Sequence, residues 1–323
     1  MNVESLKGLV VILPTPFTDD GKIDENSLKK LVRAAIDKKL DGVVVLGSNA
    51  EFPYLRFEEK IQVMEIAASA ANGEIPVIGT ASAWSTDQAI DLAKEAKKAG
   101  CDALMAALPV YFNLDLKSVV HHFKSLTKAM DLPVYYYHFP DVTGLKIRPK
   151  DLARIAEIDG IIGAKLTVIN RPFLKKTIEA TRPYDWKVFT GTSLLLYDCL
   201  AFGGAGVFCP IPLVGTEDVR MLWDAFSAGD HKKAKQIQKK LLKTIPLFTG
   251  SSLPPALLSL GFQFMVRLPL LSGKRPFGTH RLLKEILRAQ GYLANNKVRR
   301  PHIEVSQAEQ KLVEKTLASF GWI

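Results

Sequence analysis

The chain has 323 residues, of which 47% are hydrophobic and 24% charged, with a formal net charge of +10. That excludes a disordered chain and allows one large core or two domains. The basic residues are spread out, and the short clusters Lys232-Lys233, Lys239-Lys240 and Lys297-Val298-Arg299-Arg300 have no interleaved aromatics or zinc-finger spacing, so no nucleic-acid partner is expected.

Residues 1–8 lack the basic start and apolar core of a signal peptide. The greasiest region, residues 245–271, is broken by Pro246, Pro254, Pro255, Arg267 and Pro269, so no membrane span is expected. Cys101, Cys199 and Cys209 form no Cys-x-x-Cys pair. A soluble, cytoplasmic protein without a disulfide framework follows as the expectation.

From the N-terminus, short β-rich apolar runs at 9–13, 42–47, 75–80, 103–108, 133–139, 161–166, 187–191 and 206–210 alternate with helical patterns. The first helix, 26–39, places Leu28, Leu31, Val32, Ala35 and Ile36 at i, i+3, i+4 spacing on one face. Helices follow at 56–71, 85–99, 115–129, 149–157, 171–181 and 194–202, with start signals such as Asp24 and Ser85-x-x-Gln88. This is the unit count and size of a (β/α)8 TIM barrel, class α/β, over residues 1–227. A doubly wound sheet should show Gly-x-Gly-x-x-Gly after its first strand, where this chain has Leu13-Pro14-Thr15-Pro16-Phe17. Helices predicted at 216–227, 231–244, 253–263, 279–290 and 306–319, the last opened by a Ser306-x-x-Glu309 capping box, make residues 228–323 a C-terminal helical extension packed on the barrel. The basic, proline-containing segment 295–303 reads as a surface connection within it.

In such barrels the site lies at the C-terminal ends of the strands. Lys165 interrupts the apolar run Ile161-Ile162-Gly163-Ala164-Lys165-Leu166 of the sixth strand. A lysine amine in a desolvated pocket can condense with a ketone to a Schiff base, whereas a lysine at a strand end can also simply reach solvent. On the fifth strand, period-2 alternation puts Tyr135, Tyr137 and Phe139 on one face and Tyr136 and His138 on the other. Tyr137 therefore stands beside Lys165, placed to shuttle a proton. The second strand runs into Gly47-Ser48-Asn49-Ala50-Glu51, whose hydroxyl, amide and backbone N–H groups make a small carboxylate cradle; Ser48-x-x-Glu51 is also a capping box needing no ligand. Tyr111, after the fourth strand, is a further rim tyrosine suited to a proton relay or an interface. The six histidines show no zinc-like spacing, His121-His122 is expected on a helix surface, and neither a metal nor an organic cofactor is required.

These motifs, from Leu13-Pro14-Thr15-Pro16-Phe17 through Gly47-Ser48-Asn49, Tyr137-His138-Phe139-Pro140 and Gly163-Ala164-Lys165-Leu166-Thr167 to Val298-Arg299-Arg300-Pro301, resemble in order the dihydrodipicolinate synthase and N-acetylneuraminate lyase superfamily of pyruvate-dependent class I aldolases. The resemblance implies that Lys165 forms the Schiff base and Tyr137 is the acid/base. It gives Ser48 and Asn49 the carboxylate, Thr167 a place near the reacting carbonyl, and Tyr111 an assisting role, often across a subunit contact. It adds Gly191 and Val207 as substrate contacts, and a homotetramer or dimer. Pyruvate and an aldehyde are then the small-molecule partners. The most direct candidates for substrate are a 2-keto-3-deoxy sugar acid, 4-hydroxy-2-oxoglutarate or a sialic-acid-like compound.

Departures bear on the substrate. Val142 stands where the synthase branch has an arginine for the second substrate's carboxylate. Ser193 and Leu194 stand where the sialic-acid branch has an acidic pair, and Cys209 lies near the place of its serine. Ala50 replaces a glycine, which predicts a strained cradle if the backbone there needs positive φ. The rival readings are a Schiff-base dehydratase of a 2-keto-3-deoxy sugar acid, a non-catalytic keto-acid-binding barrel and a metal-dependent aldolase.

Overall fold

A computed structural model describes residues 3–109, 111–251, 253–267 and 279–323. Strands β1 (Gly8–Ile12), β2 (Gly42–Val44), β3 (Val77–Thr80) and β4 (Ala103–Ala107) alternate with helices α1 (Glu25–Asp37), α2 (Phe57–Ala71), α3 (Thr86–Lys98) and α4 (Leu116–Lys128). The second half contains β5 (Val134–His138), a short α5 (Pro140–Thr143), α6 (Pro149–Ala156), β6 (Ile161–Leu166), α7 (Arg171–Thr181), β7 (Lys187–Thr190), α8 (Leu196–Ala201) and β8 (Gly206–Cys209). The strands are parallel and close in chain order, β8 returning to β1. After them come α9 (Ile211–Val214), α10 (Thr216–Ser227), α11 (His231–Leu241), α12 (Pro246–Thr249), α13 (Pro255–Met265), α14 (Thr279–Ala289) and α15 (Gln307–Phe320). Among the described residues no helix is long and apolar enough to cross a membrane.

Because side chains alternate along a strand, each strand feeds two layers. Outward residues such as Val11, Val43, Leu104, Tyr136 and Val188 pack with the apolar faces of the surrounding helices, including Leu28, Leu31 and Val32 of α1. Inward residues, among them Val10, Val44, Ile78, Met105, Tyr135, Phe189 and Phe208, fill the barrel. Phe189 and Phe208 meet at 4.2 Å between ring centroids, and the Tyr135 hydroxyl donates to the Val3 carbonyl at 2.6 Å, so the N-terminal turn plugs the lower end. The seam between β1 and β8 needs glycine: a Cβ on Gly206, whose φ is +146°, would stand 2.0 Å from the Gly8 carbonyl oxygen.

The helix starts follow their caps. The Asp24 carboxylate accepts from the Ser27 N–H at 3.0 Å, the Ser85 hydroxyl from the Gln88 N–H at 3.3 Å, and Ser306 and Glu309 form the reciprocal box. Three details differ from the sequence expectation. Strand β2 stops at Val44, not residue 47, because Leu46 takes a left-handed φ of 59° and turns the chain into a short 3-10 turn at Ser48–Ala50. His122 is buried rather than on a helix surface, its Nδ1 2.9 Å from the Thr86 hydroxyl, while His121 remains exposed. Segment 295–303 is no mere surface connection: the Lys297 carbonyl accepts from Lys284 at 2.6 Å, and Pro301, His302 and Ile303 line the cavity described next.

Candidate active site

At the C-terminal ends of the strands a cavity of about 760 Å3 opens above the filled barrel. Lys165 reaches it through the register between β5 and β6. Val134 pairs with Ile161 but Tyr135 pairs with Gly163, so one extra residue on β6 shifts the phase and sets Lys165 opposite Tyr137. Both face inward, and Lys165 is only 4% exposed. Its Nζ lies 3.9 Å from the centroid of the Tyr137 ring, and the Tyr137 hydroxyl is 3.2 Å from the Ser48 Oγ. The sequence-predicted trio of amine, phenol and hydroxyl is thus one contiguous group.

Thr167 and Gly191 belong to the same wall. The Thr167 Oγ1 is buried with no hydrogen-bond partner among the described residues. It fits because a Cβ on Gly191 would stand 2.2 Å from that oxygen. An unpartnered buried hydroxyl is unfavourable unless something else bonds to it. Asn49 also lines the cavity, and its Oδ1 accepts from the Thr279 hydroxyl at 2.9 Å, leaving the amide nitrogen as the donor for a ligand.

The turn carrying Ser48 and Asn49 is held from behind. The Thr15 hydroxyl donates to the Ala50 carbonyl at 2.8 Å, which gives the proline-flanked motif at 13–17 a structural task. Ala50 does not strain the cradle, because the left-handed residue is its neighbour Glu51, with φ 57°. Glu51 takes no part in a capping box. Its buried carboxylate lies 2.5 Å from Lys284 Nζ and accepts from the Arg299 N–H at 2.7 Å, while the Phe17 ring centroid is 4.0 Å from Lys284 Nζ. Burial pushes the Lys284 amine down to about 8 although Glu51 acts in the opposite sense.

Two expected site residues lie elsewhere. Tyr111 is 80% exposed, edge-on to Phe112, in a separate recess of about 520 Å3 with Trp84, Pro109 and His121; the fold of one chain does not bring it to Lys165. Val207 points into the outer layer, and Phe208 is the inward residue of β8, so the contact assigned to Val207 is out of phase by one residue. The wall at that strand is Cys209, whose Sγ is 3.0 Å from the Ser193 Oγ. Sequence reasoning missed Thr279 and Arg281 altogether. Arg281 lines the cavity but is paired with Glu309 at 2.9 Å and donates to the carbonyls of Ile303 and Glu304. The one sequence hint to this side was the Val298-Arg299-Arg300-Pro301 motif. Among the described residues no group of three or more His, Cys, Asp or Glu side chains stands together to hold a metal ion.

Residues 5–265 match the Dihydrodipicolinate synthetase family. A 4-hydroxy-tetrahydrodipicolinate synthase of Syntrophus aciditrophicus (strain SB) is 33% identical over 271 residues, 82% of this chain and 92% of its own. One from Protochlamydia amoebophila (strain UWE25) is 34% identical over 242 residues, 74% of this chain and 81% of its own. Among solved structures, a prophage protein of the dihydrodipicolinic acid synthase family from E. coli K12, in complex with pyruvate, superposes with a TM-score of 0.85 at 22% identity, covering 98% of this chain and 99% of that one. N-acetylneuraminate lyase from Mycoplasma synoviae gives 0.80 at 23% identity, covering 98% and 99%. The structural likeness speaks for the barrel and the sequence match for descent: the chain belongs to the dihydrodipicolinate synthetase family, whose members are pyruvate-dependent lyases and synthases.

Proposed function

We propose that this chain is a Schiff-base aldolase that makes or breaks the C3–C4 bond of a 2-keto acid, with pyruvate as one partner and an aldehyde as the other. The observation that carries this reading is the buried amine of Lys165 lying over the Tyr137 ring, with the Tyr137 hydroxyl within hydrogen-bond reach of Ser48, at the floor of a cavity large enough for both fragments. The substrate carboxylate is taken by the Ser48 hydroxyl, the Asn49 amide and backbone N–H groups of their turn. Lys165 attacks C2, and Tyr137 passes protons to the carbinolamine oxygen, which leaves as water. The unpartnered Thr167 hydroxyl is placed to hold the reacting oxygen.

In the cleavage direction the iminium draws in the electron pair of the C3–C4 bond while Tyr137 accepts the C4 hydroxyl proton. Aldehyde departs, the enamine takes a proton at C3, and water releases pyruvate and the free amine. In synthesis the enamine carbon adds to the aldehyde carbonyl and the same proton returns. No step consumes an oxidant or reductant.

Tyr111 enters this scheme only from a neighbouring subunit. The exposed aromatics Trp84, Tyr111 and Phe112, at 61%, 80% and 75%, support a dimeric or tetrameric assembly in which that surface is covered. The free, buried cysteines Cys101, Cys199 and Cys209 fit a reducing compartment, and we place the enzyme in the cytoplasm.

The test is incubation with pyruvate and borohydride, followed by intact-mass and peptide analysis beside a Lys165→Ala control. A reduced pyruvyl adduct confined to the Lys165 peptide is expected. A folded protein that yields no adduct removes the Schiff-base reading in favour of a barrel that only binds a keto acid.

A further inference from the structure

The cavity above Lys165 has two chemically unlike sides. Around Lys165 and Tyr137 stand Ser48, Asn49 and Thr167; the Asn49 amide nitrogen is left as a donor, and the Thr167 Oγ1 is buried without a hydrogen-bond partner among the described residues. The side built by the segments after β6, β7 and β8 and by α12 and α13 presents Ile169, Leu194, Ile211, Ile245, Phe248 and Phe262. Several polar side chains on that side are already engaged within the protein. The Ser193 Oγ lies 3.0 Å from Cys209 Sγ, the Thr192 hydroxyl accepts from the Leu194 N–H at 3.2 Å, and the Thr249 hydroxyl donates to the Ile245 carbonyl at 3.0 Å. Beyond Lys165 and His302, the one basic side chain among the described lining residues, Arg281, is paired with Glu309, and Asp141 adds a further carboxylate.

We infer that the aldehyde partner carries an apolar body, aromatic or branched aliphatic, in place of a chain of hydroxyls or a second carboxylate. This rests on the keto-acid reading and deepens it. A polyhydroxylated fragment entering this side would give up its hydrogen bonds to water and find few replacements, whereas an aryl or branched alkyl group loses only unfavourable contact with water. A fragment with a second carboxylate would meet Asp141, the apolar Val142 beside it and the neutralised Arg281–Glu309 pair. The reaction itself is unchanged: the pyruvate enamine forms one carbon–carbon bond to the aldehyde carbon, and the carbonyl oxygen takes the proton held by Tyr137.

The experiment has two readings that fail separately. Borohydride trapping of pyruvate at Lys165 is established first. Pyruvate consumption is then followed with benzaldehyde and 3-methylbutanal against glyceraldehyde and glyoxylate. We expect kcat/KM for both apolar aldehydes to exceed that for the polar pair by about tenfold or more, the scale on which an apolar pocket separates substrates. Leu194→Glu should shift the benzaldehyde-to-glyceraldehyde ratio toward glyceraldehyde by about tenfold, and Leu194→Gln should do the same more weakly. A protein that traps pyruvate yet prefers glyceraldehyde or glyoxylate, turns over neither apolar aldehyde, or keeps its ratio in both Leu194 variants overturns the inference. Absence of trapping overturns the Schiff-base reading itself, and this inference with it.

Discussion

Among the described residues Lys165 has no carboxylate paired with it, and its buried side chain lines the cavity. Lys165→Ala is expected to lower turnover by at least about 1,000-fold and to abolish pyruvate trapping. Tyr137→Phe should keep the adduct but lower kcat by about 100-fold or more, because the ring still packs while the proton carrier is gone. Thr167→Val separates ligand binding from stability. Its hydroxyl bonds to nothing among the described residues, so kcat/KM should fall about tenfold or more while the urea midpoint stays level or rises; a fall in midpoint with unchanged kinetics would refute the role given to it. These residues were legible because each interrupts or obeys a local period: a lysine in an apolar run, and a tyrosine in phase beside it. Val207 was misread by one residue on a strand whose short apolar run gives no phase, and Tyr111 sits on a loop whose direction no local pattern fixes.

At the scale of elements, the turn after β2 that carries Ser48 and Asn49 depends on α14, which meets it through the Thr279–Asn49 hydrogen bond and the Glu51–Lys284 ion pair. Lys284→Met fills the same space but leaves the Glu51 carboxylate buried without its counter-charge. Urea unfolding should show a loss of about 3–5 kcal/mol, most of it recovered when Glu51→Gln is added. A single variant as stable as the parent would show that the pair has no such role. Gly191→Ala pushes a methyl group against the Thr167 side chain and is expected to cost about 1–3 kcal/mol together with affinity for the keto acid, measured by unfolding and by pyruvate KM. The strand and helix order could be read from alternating periods and caps. The contribution of α14 and of the segment after it could not, since Glu51 meets Lys284 and Arg299 only in the folded chain, Arg299 from 248 residues away, and none of them carries a local signal of the others.

For the whole molecule, acid should be destabilising in a defined window. His122 and His138 are buried, and burial holds both down to about 4 from an ordinary 6.5. Both are neutral in the folded chain and protonate more readily when it unfolds. Their contribution is therefore complete above pH 6.5 and is lost as pH falls toward 4, at about 1.4 kcal/mol per pH unit for each residue. Urea midpoints at pH 7, 5.5 and 4.5 check this, and a flat series would contradict it. The barrel was legible as a whole because eight repeats of one pattern reinforce each other, whereas the cavity lining beyond the strands comes from connecting segments and from α12, α13 and α14, whose placement depends on the finished core. The long reach from Glu51 to α14 also sets a schedule for synthesis. A ribosome releases the strands and Lys165 well before Lys284 and Arg299, so a chain stalled or clipped short of α14 carries the Glu51 turn without the counter-charge that holds it in place.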